Sequence, residues 1–183
     1  MRYCRVKRVT KSIVLIGMMG AGKSSVGRWL QRRTGLMLLD TDEIVASKFR
    51  MSIPEIFARH GENKFREAET NALRAIVMPK ETIIVTGGGI VLRQENVDIL
   101  TRIGVIVWLD GNEGTLFARA SRERNRPLLE TKHPREAFSR ILGSRRFLYA
   151  NIADIRVDTS MLTDAEIALA ILSKLGRLNS ASG

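Results

Sequence analysis

The chain has 183 residues, 44% hydrophobic and 27% charged, which excludes disordered, collagen-like and repeat compositions and fits one globular domain better than two. Its formal charge of +11, from 30 Lys and Arg against 19 Asp and Glu, attracts anions. Aromatics are only 5% of the residues, so nucleotides and other small anions are expected and no nucleic-acid partner is.

Met1 to Lys11 is basic and carries no small-residue cleavage site; it reads as a leader to the first strand, not a signal peptide. Ser12 to Ile16 is a β-branched and apolar run ending at Gly17, and Ser24 to Thr34 then shows helical spacing through Val26, Trp29 and Leu30. Leu36 to Leu39 predicts a second strand ending in Asp40, with a helix behind it through Ile44, Val45 and Lys48. Ile53 to His60 and Asn63 to Met78 predict two helices separated by Gly61, with Pro54 in the first turn of the former. This pair breaks the βα rhythm as an inserted lobe would, at about residues 42–78. Thr82 to Val85 and Val105 to Leu109 are continuous apolar runs of the kind buried on both faces in a parallel sheet, each followed by a loop and a helical stretch. Arg122 to Pro134 is basic, holds two prolines and lacks apolar periodicity, which predicts a mobile lid. Ala137 to Ala150 predicts a helix, Asp154 to Val157 a fifth strand and Ala165 to Leu175 a closing helix. The fold class expected is α/β: a three-layer αβα domain around a five-stranded parallel sheet, with its core at about residues 12–175. No apolar run approaches the roughly 20 residues that cross a bilayer, and the single cysteine, Cys4, excludes an internal disulfide and suits a reducing cytoplasm. No oligomerisation signal stands out, so a monomer is expected.

Gly17-Met18-Met19-Gly20-Ala21-Gly22-Lys23-Ser24 matches the phosphate-loop pattern GxxxxGK[ST] and lies between a predicted strand and a predicted helix. Glycines let backbone N–H groups curl around phosphates, the helix N-terminus adds positive partial charge, Lys23 reaches the β and γ oxygens, and Ser24 can ligate Mg²⁺. The loop specifies a nucleoside triphosphate and leaves the acceptor open. Asp40-Thr41-Asp42 follows the second strand, where ligands of open α/β sheets bind. Its two carboxylates fit either a metal and an acceptor hydroxyl, or the N-cap of the next helix. Arg66 and Glu69 lie three apart on a predicted helix and share a face. Gly87-Gly88-Gly89 follows the third strand, Arg126 lies in the basic loop, and Arg145 and Tyr149 lie one turn apart on the next helix.

These motifs, GMMGAGKSS (Gly17 to Ser25), LLDTD (Leu38 to Asp42), GENKFREAE (Gly61 to Glu69), TGGGIV (Thr86 to Val91), RPLL (Arg126 to Leu129) and RRFLY (Arg145 to Tyr149), resemble those of the shikimate kinase family. The resemblance extends from Ser12 to about Leu175. It implies a P-loop kinase that phosphorylates the 3-hydroxyl of shikimate with ATP, with a substrate lobe at about 42–78 and a lid at about 122–134. It further implies that Gly20, Ala21, Gly22, Lys23, Ser24, Ser25, Arg119 and Arg126 bind ATP, with Arg119 against adenine. Asp40 would support Mg²⁺ near Ser24, and Asp42 would hydrogen-bond the shikimate hydroxyls. Arg66 and Arg145 would grip the carboxylate beside Gly88 and Gly89, and Arg126 would meet the transferring phosphate. Lys23, Asp42 and Arg126 are thus the expected catalytic set. Ser24 stands where family members commonly carry Thr, a chemically equivalent change. A gluconate or nucleoside monophosphate kinase would share the phosphate loop and lid but has no need of two arginines with Asp42 and three glycines. A non-catalytic sensor would be expected to lack Lys23, Ser24, Asp40, Asp42 or Arg126, and all five are present.

Overall fold

Five short aliphatic and β-branched runs pair into one parallel sheet of order β2-β3-β1-β4-β5. The computed structural model describes residues 11–76, 81–122 and 126–181. Most of the basic leader, the expected helix end at Met78 and part of the expected lid lie outside the described residues. The strands are β1 (Ser12–Ile16), β2 (Met37–Asp40), β3 (Thr82–Val85), β4 (Gly104–Asp110) and β5 (Ile155–Asp158). Every residue of β1 and β3 is buried, so helices must cover both faces of the sheet centre, as continuous apolar runs require.

The helices are α1 (Lys23–Thr34), α2 (Thr41–Phe49), α3 (Ile53–Ala75), α4 (Gln94–Ile103), α5 (Glu113–Ala120), α6 (Pro134–Ile152) and α7 (Asp164–Ala181). Pro134 opens α6 in its first turn, where a missing N–H costs nothing, so the helix begins three residues earlier than the apolar spacing suggests. The RPLL segment forms a single 3₁₀ turn, Pro127–Leu129, ahead of it. The two helices expected on either side of Gly61 are present as the halves of α3, parted by non-helical backbone at Gly61 (φ 77°, ψ 169°). Its start is fixed by a capping box: Ser52 and Glu55 satisfy each other's backbone N–H groups.

Two apolar clusters hold the chain together. The larger is built on the sheet and includes Leu15, Ile84, Val107, Phe138 and Tyr149. The smaller lies between α2 and α3 and contains Val45, Ile56, Phe65, Ala68 and Ala72, with the rings of Phe57 and Phe65 at 4.8 Å. It gives this helical pair its own packing, apart from the sheet. Leu15, in the middle strand, is fully buried, whereas Met37 on the edge strand is 49% exposed. Leu15→Ala is expected to cost about 2–5 kcal/mol in chemical denaturation and Met37→Ala no more than about 0.5 kcal/mol. Equal losses would show that the sheet centre does not carry the stability.

Candidate active site

The phosphate loop closes on itself through its own lysine. Lys23 Nζ donates to the carbonyls of Gly17 (2.8 Å) and Met18 (3.1 Å), so the ammonium lies across the loop opening, where a phosphate oxygen would meet it. Gly22 caps α1 in the left-handed region, with φ 85°, a conformation that lets the first helical N–H groups face the loop interior. Ser24 Oγ donates to Asp40 Oδ2 at 3.2 Å, while Asp40 Oδ1 accepts from the Asp42 N–H at 3.0 Å. Asp40 therefore serves as the N-cap of α2, one of the readings open in the sequence, and also as the partner of the loop serine. A cavity of about 270 Å³ runs over this loop, lined among others by Gly22, Lys23, Ser24, Asp40, Arg119 and Arg126.

A second, smaller cavity of about 70 Å³ adjoins it. Asp42, Arg66, Glu69, Gly89, Arg126 and Arg145 line its polar side, with Ile53, Phe57 and Phe65 from the smaller apolar cluster on the other. Both cavities are bounded by Met19, Asp42, Gly87, Gly88 and Arg126. The guanidinium of Arg66 is held from two sides: Nη2 and Nε donate to Glu62 Oε1 (2.8 and 3.2 Å) and Nη1 to Glu69 Oε2 (2.5 Å). That occupies three of its five N–H groups and leaves one on each terminal nitrogen for a ligand. Arg145 is 5% exposed and its charge acts on Tyr149, whose hydroxyl donates to the Gly88 carbonyl.

Close approach explains the first and third of the three glycines. A Cβ on Gly87 would stand 2.5 Å from Glu69 Oε1 and 2.6 Å from Asp42 Oδ1, and one on Gly89 would run into the Arg66 guanidinium. The backbone after β3 thus packs directly on the charged groups of α2 and α3. Asp42 Oδ1 and Glu69 Oε1 are also buried oxygens that accept no hydrogen bond from the described residues. Unsatisfied buried acceptors are costly, and these two lie beside the smaller cavity.

A model of the shikimate kinase family matches residues 19–176. The chain belongs to the shikimate kinase family. Its relatives include the shikimate kinase of Thermodesulfovibrio yellowstonii, 41% identical over 92% of this chain and 97% of that protein. That of Moorella thermoacetica is 41% identical over 90% of this chain and 94% of its own length. Among solved structures, the shikimate kinase of Acinetobacter baumannii in complex with shikimate superposes with TM-score 0.86 at 33% identity, covering 90% of this chain and 92% of that one. A gluconokinase from Sinorhizobium meliloti shares the fold, with TM-score 0.62 at 21% identity over 94% of this chain and 95% of that one. Members of this family are ATP-dependent kinases with an alcohol acceptor, and so is this chain.

The residues singled out in the sequence are brought together with one exception. Gly20, Gly22, Lys23, Ser24, Ser25, Arg119 and Arg126 line the larger cavity, and Asp42, Arg66, Gly88, Gly89 and Arg145 line the smaller. Ala21 is fully buried in the main apolar cluster and lines neither. Arg119 is anchored by Thr159, donating to its carbonyl at 2.9 Å and its hydroxyl at 3.3 Å. Sequence reasoning did not assign site roles to Glu62, Glu69, Tyr149 or Asp164. The i, i+3 and i, i+4 spacing of Glu69 and Glu62 from Arg66 was the available signal; for Asp164 there was none.

Burial pushes the Asp42 carboxyl above its ordinary value of 3.8, and the nearby Asp40 charge adds to the rise against Lys23, Arg126 and Arg66. Burial likewise pushes Glu69 from 4.5 up to about 7 in spite of the Arg66 guanidinium, with Asp42 contributing in the same direction. For Glu69 the folded state holds the proton more tightly than the unfolded chain. Between pH 4.5 and about 7 the native state binds more protons, so stability falls as pH rises through that window. Melting temperature measured across it should decline, and Glu69→Gln should flatten the decline. A profile that the substitution leaves unchanged would show that Glu69 does not titrate there.

Proposed function

We propose that the chain transfers the γ-phosphoryl group of ATP to the 3-hydroxyl of shikimate, giving shikimate 3-phosphate and ADP on the route to chorismate and the aromatic amino acids. The observation that carries this reading is the meeting of the two cavities at Met19, Asp42, Gly87, Gly88 and Arg126. A phosphate loop opens on one side of that junction. On the other, two buried guanidiniums face a carboxylate that has an unsatisfied oxygen.

The roles follow from the chemistry of the groups. The free N–H groups of Arg66, together with Arg145, suit the planar carboxylate of the acceptor, which a guanidinium recognises in a fixed geometry. Asp42 Oδ1 accepts a hydrogen bond from the ring hydroxyl and, with its pKa raised by burial, is suited to take the proton as the new P–O bond forms. The hydroxyl oxygen attacks the γ phosphorus in line while the β–γ bridging oxygen leaves with ADP. Lys23 and Arg126 are the cations at the transferring group. Arg126 belongs to the segment at about 122–134, which we read as the lid that excludes water from the site. The lobe at about 42–78 is the part that presents Asp42 and Arg66.

The donor set also fits Mg²⁺. A hydroxyl, one carboxylate and phosphate oxygens are hard ligands, and this ion is commonly held by one or two carboxylates plus substrate phosphates. Among the described residues no group of three or more His, Cys, Asp or Glu side chains is placed to cage a metal. Ser24 and Asp40 would hold the ion, which would neutralise charge on the phosphates. A monomer is the expected state, and the single cysteine, Cys4, suits a cytoplasmic setting. No helix among the described residues is long and apolar enough to cross a membrane.

A coupled ADP-release assay with shikimate, quinate, gluconate and nucleoside monophosphates tests the reading. Turnover is expected with shikimate, and turnover with gluconate or a nucleotide instead would overturn it. Arg126→Ala should lower kcat by about 10³ or more, the range measured for arginines that reach a transferring phosphoryl group, with little change in the KM for shikimate. An unchanged kcat would remove Arg126 from the transfer step. Arg145→Ala should raise the KM for shikimate by about 10- to 100-fold, as expected for the loss of a charge-assisted pair, and leave the KM for ATP alone. A defect confined to ATP would contradict the carboxylate clamp.

A further inference from the structure

The nucleotide cavity has an end that the transfer chemistry does not use. Ser25, Arg28, Arg119 and Asp164 line the larger cavity, do not line the smaller one and have no part in the transfer step proposed above. Asp164 opens α7, and its Oδ1 lies 3.6 Å from the position a Cβ would take on Gly22, immediately beside the phosphate loop. Arg119 is tied by two hydrogen bonds to Thr159, at the start of the short connection that ends at Asp164. The two side chains are therefore set by one segment.

Asp164 is not needed to start its helix. Thr163 and Glu166 already form the reciprocal cap of α7, with Glu166 accepting from the Thr163 N–H at 2.8 Å and Thr163 Oγ1 accepting from the Glu166 N–H at 3.3 Å. Among the described residues the Asp164 carboxylate makes no hydrogen bond or ion pair. An ionised carboxylate only accepts, so its ligand must donate. The first donors beyond the phosphates of a nucleotide are the ribose hydroxyls; the base lies one ring further, where the flat guanidinium of Arg119 suits stacking. The same pairing of an acidic residue with a ribose hydroxyl recurs in other nucleotide-binding folds.

We propose that Asp164 accepts a hydrogen bond from a ribose hydroxyl of the phosphoryl donor and makes the site selective for ribonucleotides over deoxyribonucleotides. The inference rests on the kinase reading above. Titration calorimetry of ADP, 2′-deoxy-ADP and 3′-deoxy-ADP against the full chain and its Asp164→Ala and Asp164→Asn variants tests it without an acceptor. The unsubstituted chain should bind ADP about tenfold more tightly than at least one deoxy analogue. Asp164→Ala should erase that preference by weakening ADP, leaving the disfavoured analogue within about twofold. Asp164→Asn, which keeps one acceptor and the shape, should retain part of it. An unsubstituted chain that binds all three nucleotides alike, or an equal loss for all three in the alanine variant, would overturn the proposal. Phosphoryl transfer from ATP to shikimate is measured in parallel. Its absence alongside an intact ribose preference would strike the kinase reading and leave this one standing.

Discussion

The pairing of β1 with β3 is the constraint on which the site depends. These two strands are 66 residues apart in the chain, counted from Ile16 to Thr82, yet they lie side by side in parallel with Ile13 opposite Ile83 and Leu15 opposite Val85. Because the strands run the same way, the loops that follow them emerge at the same edge. One is the phosphate loop and the other is Gly87-Gly88-Gly89. The register is fastened at that edge, where Thr86 gives both its N–H (3.2 Å) and its hydroxyl (3.0 Å) to the Leu15 carbonyl. A slip of one residue would turn the buried side chains of a strand to the opposite face and would part the two loops. Burial of apolar side chains on both faces therefore fixes the distance between the donor phosphate and the acceptor.

Around that junction the chain concentrates charge that burial makes expensive. Glu69 is fully buried and Arg66 and Arg145 nearly so, and isolated charges at such depth would be strongly unfavourable. Arg66 is paired with Glu62 and Glu69, and the charge of Arg145 acts on the same Glu69 carboxyl. Partners do more than neutralise. By taking three of the five N–H groups of Arg66 they fix the plane of the guanidinium, so less side-chain freedom is lost when a ligand arrives. The carboxyls of Asp42 and Glu69 each keep one unsatisfied oxygen, a local instability of the kind that functional sites retain.

How far this could be read from the sequence depends on how local each feature is. The phosphate loop is contiguous, and its flanking strand and helix sit where the pattern needs them, so Gly17 to Ser24 was legible without a fold. The strands were legible because apolar continuity is a strong signal in buried parallel sheets. Asp42, Arg66 and Arg145 come from α2, α3 and α6, and only resemblance joined them in advance; no spacing rule links residues brought together by a sheet. The triple glycine was visible, but its reason was not. For Gly87 and Gly89 it lies in carboxylate and guanidinium atoms of other helices that a Cβ would strike. Ala21 shows the opposite limit, since a residue inside a contiguous motif can still turn its side chain to the core.

The fold itself does not choose the acceptor. A gluconokinase superposes on nearly the whole chain at 21% identity, so the arrangement of sheet and helices is shared well beyond close relatives, and a shared fold does not by itself fix a substrate. The smaller cavity has side chains that do not line the larger. In this chain those include Arg66, Glu69, Gly89 and Arg145, with the apolar wall of Phe57 and Phe65. Arg66 and Glu69 sit on the part of α3 beyond Gly61, and the break there lets the two halves of the helix take different directions. Ile56 from the first half and Phe65, Ala68 and Ala72 from the second pack with Val45 of α2, while Arg66 on the second half lies against Gly89. The residues that line the smaller cavity alone are thus carried largely by elements outside the sheet, so they can vary on one scaffold without disturbing the phosphate loop.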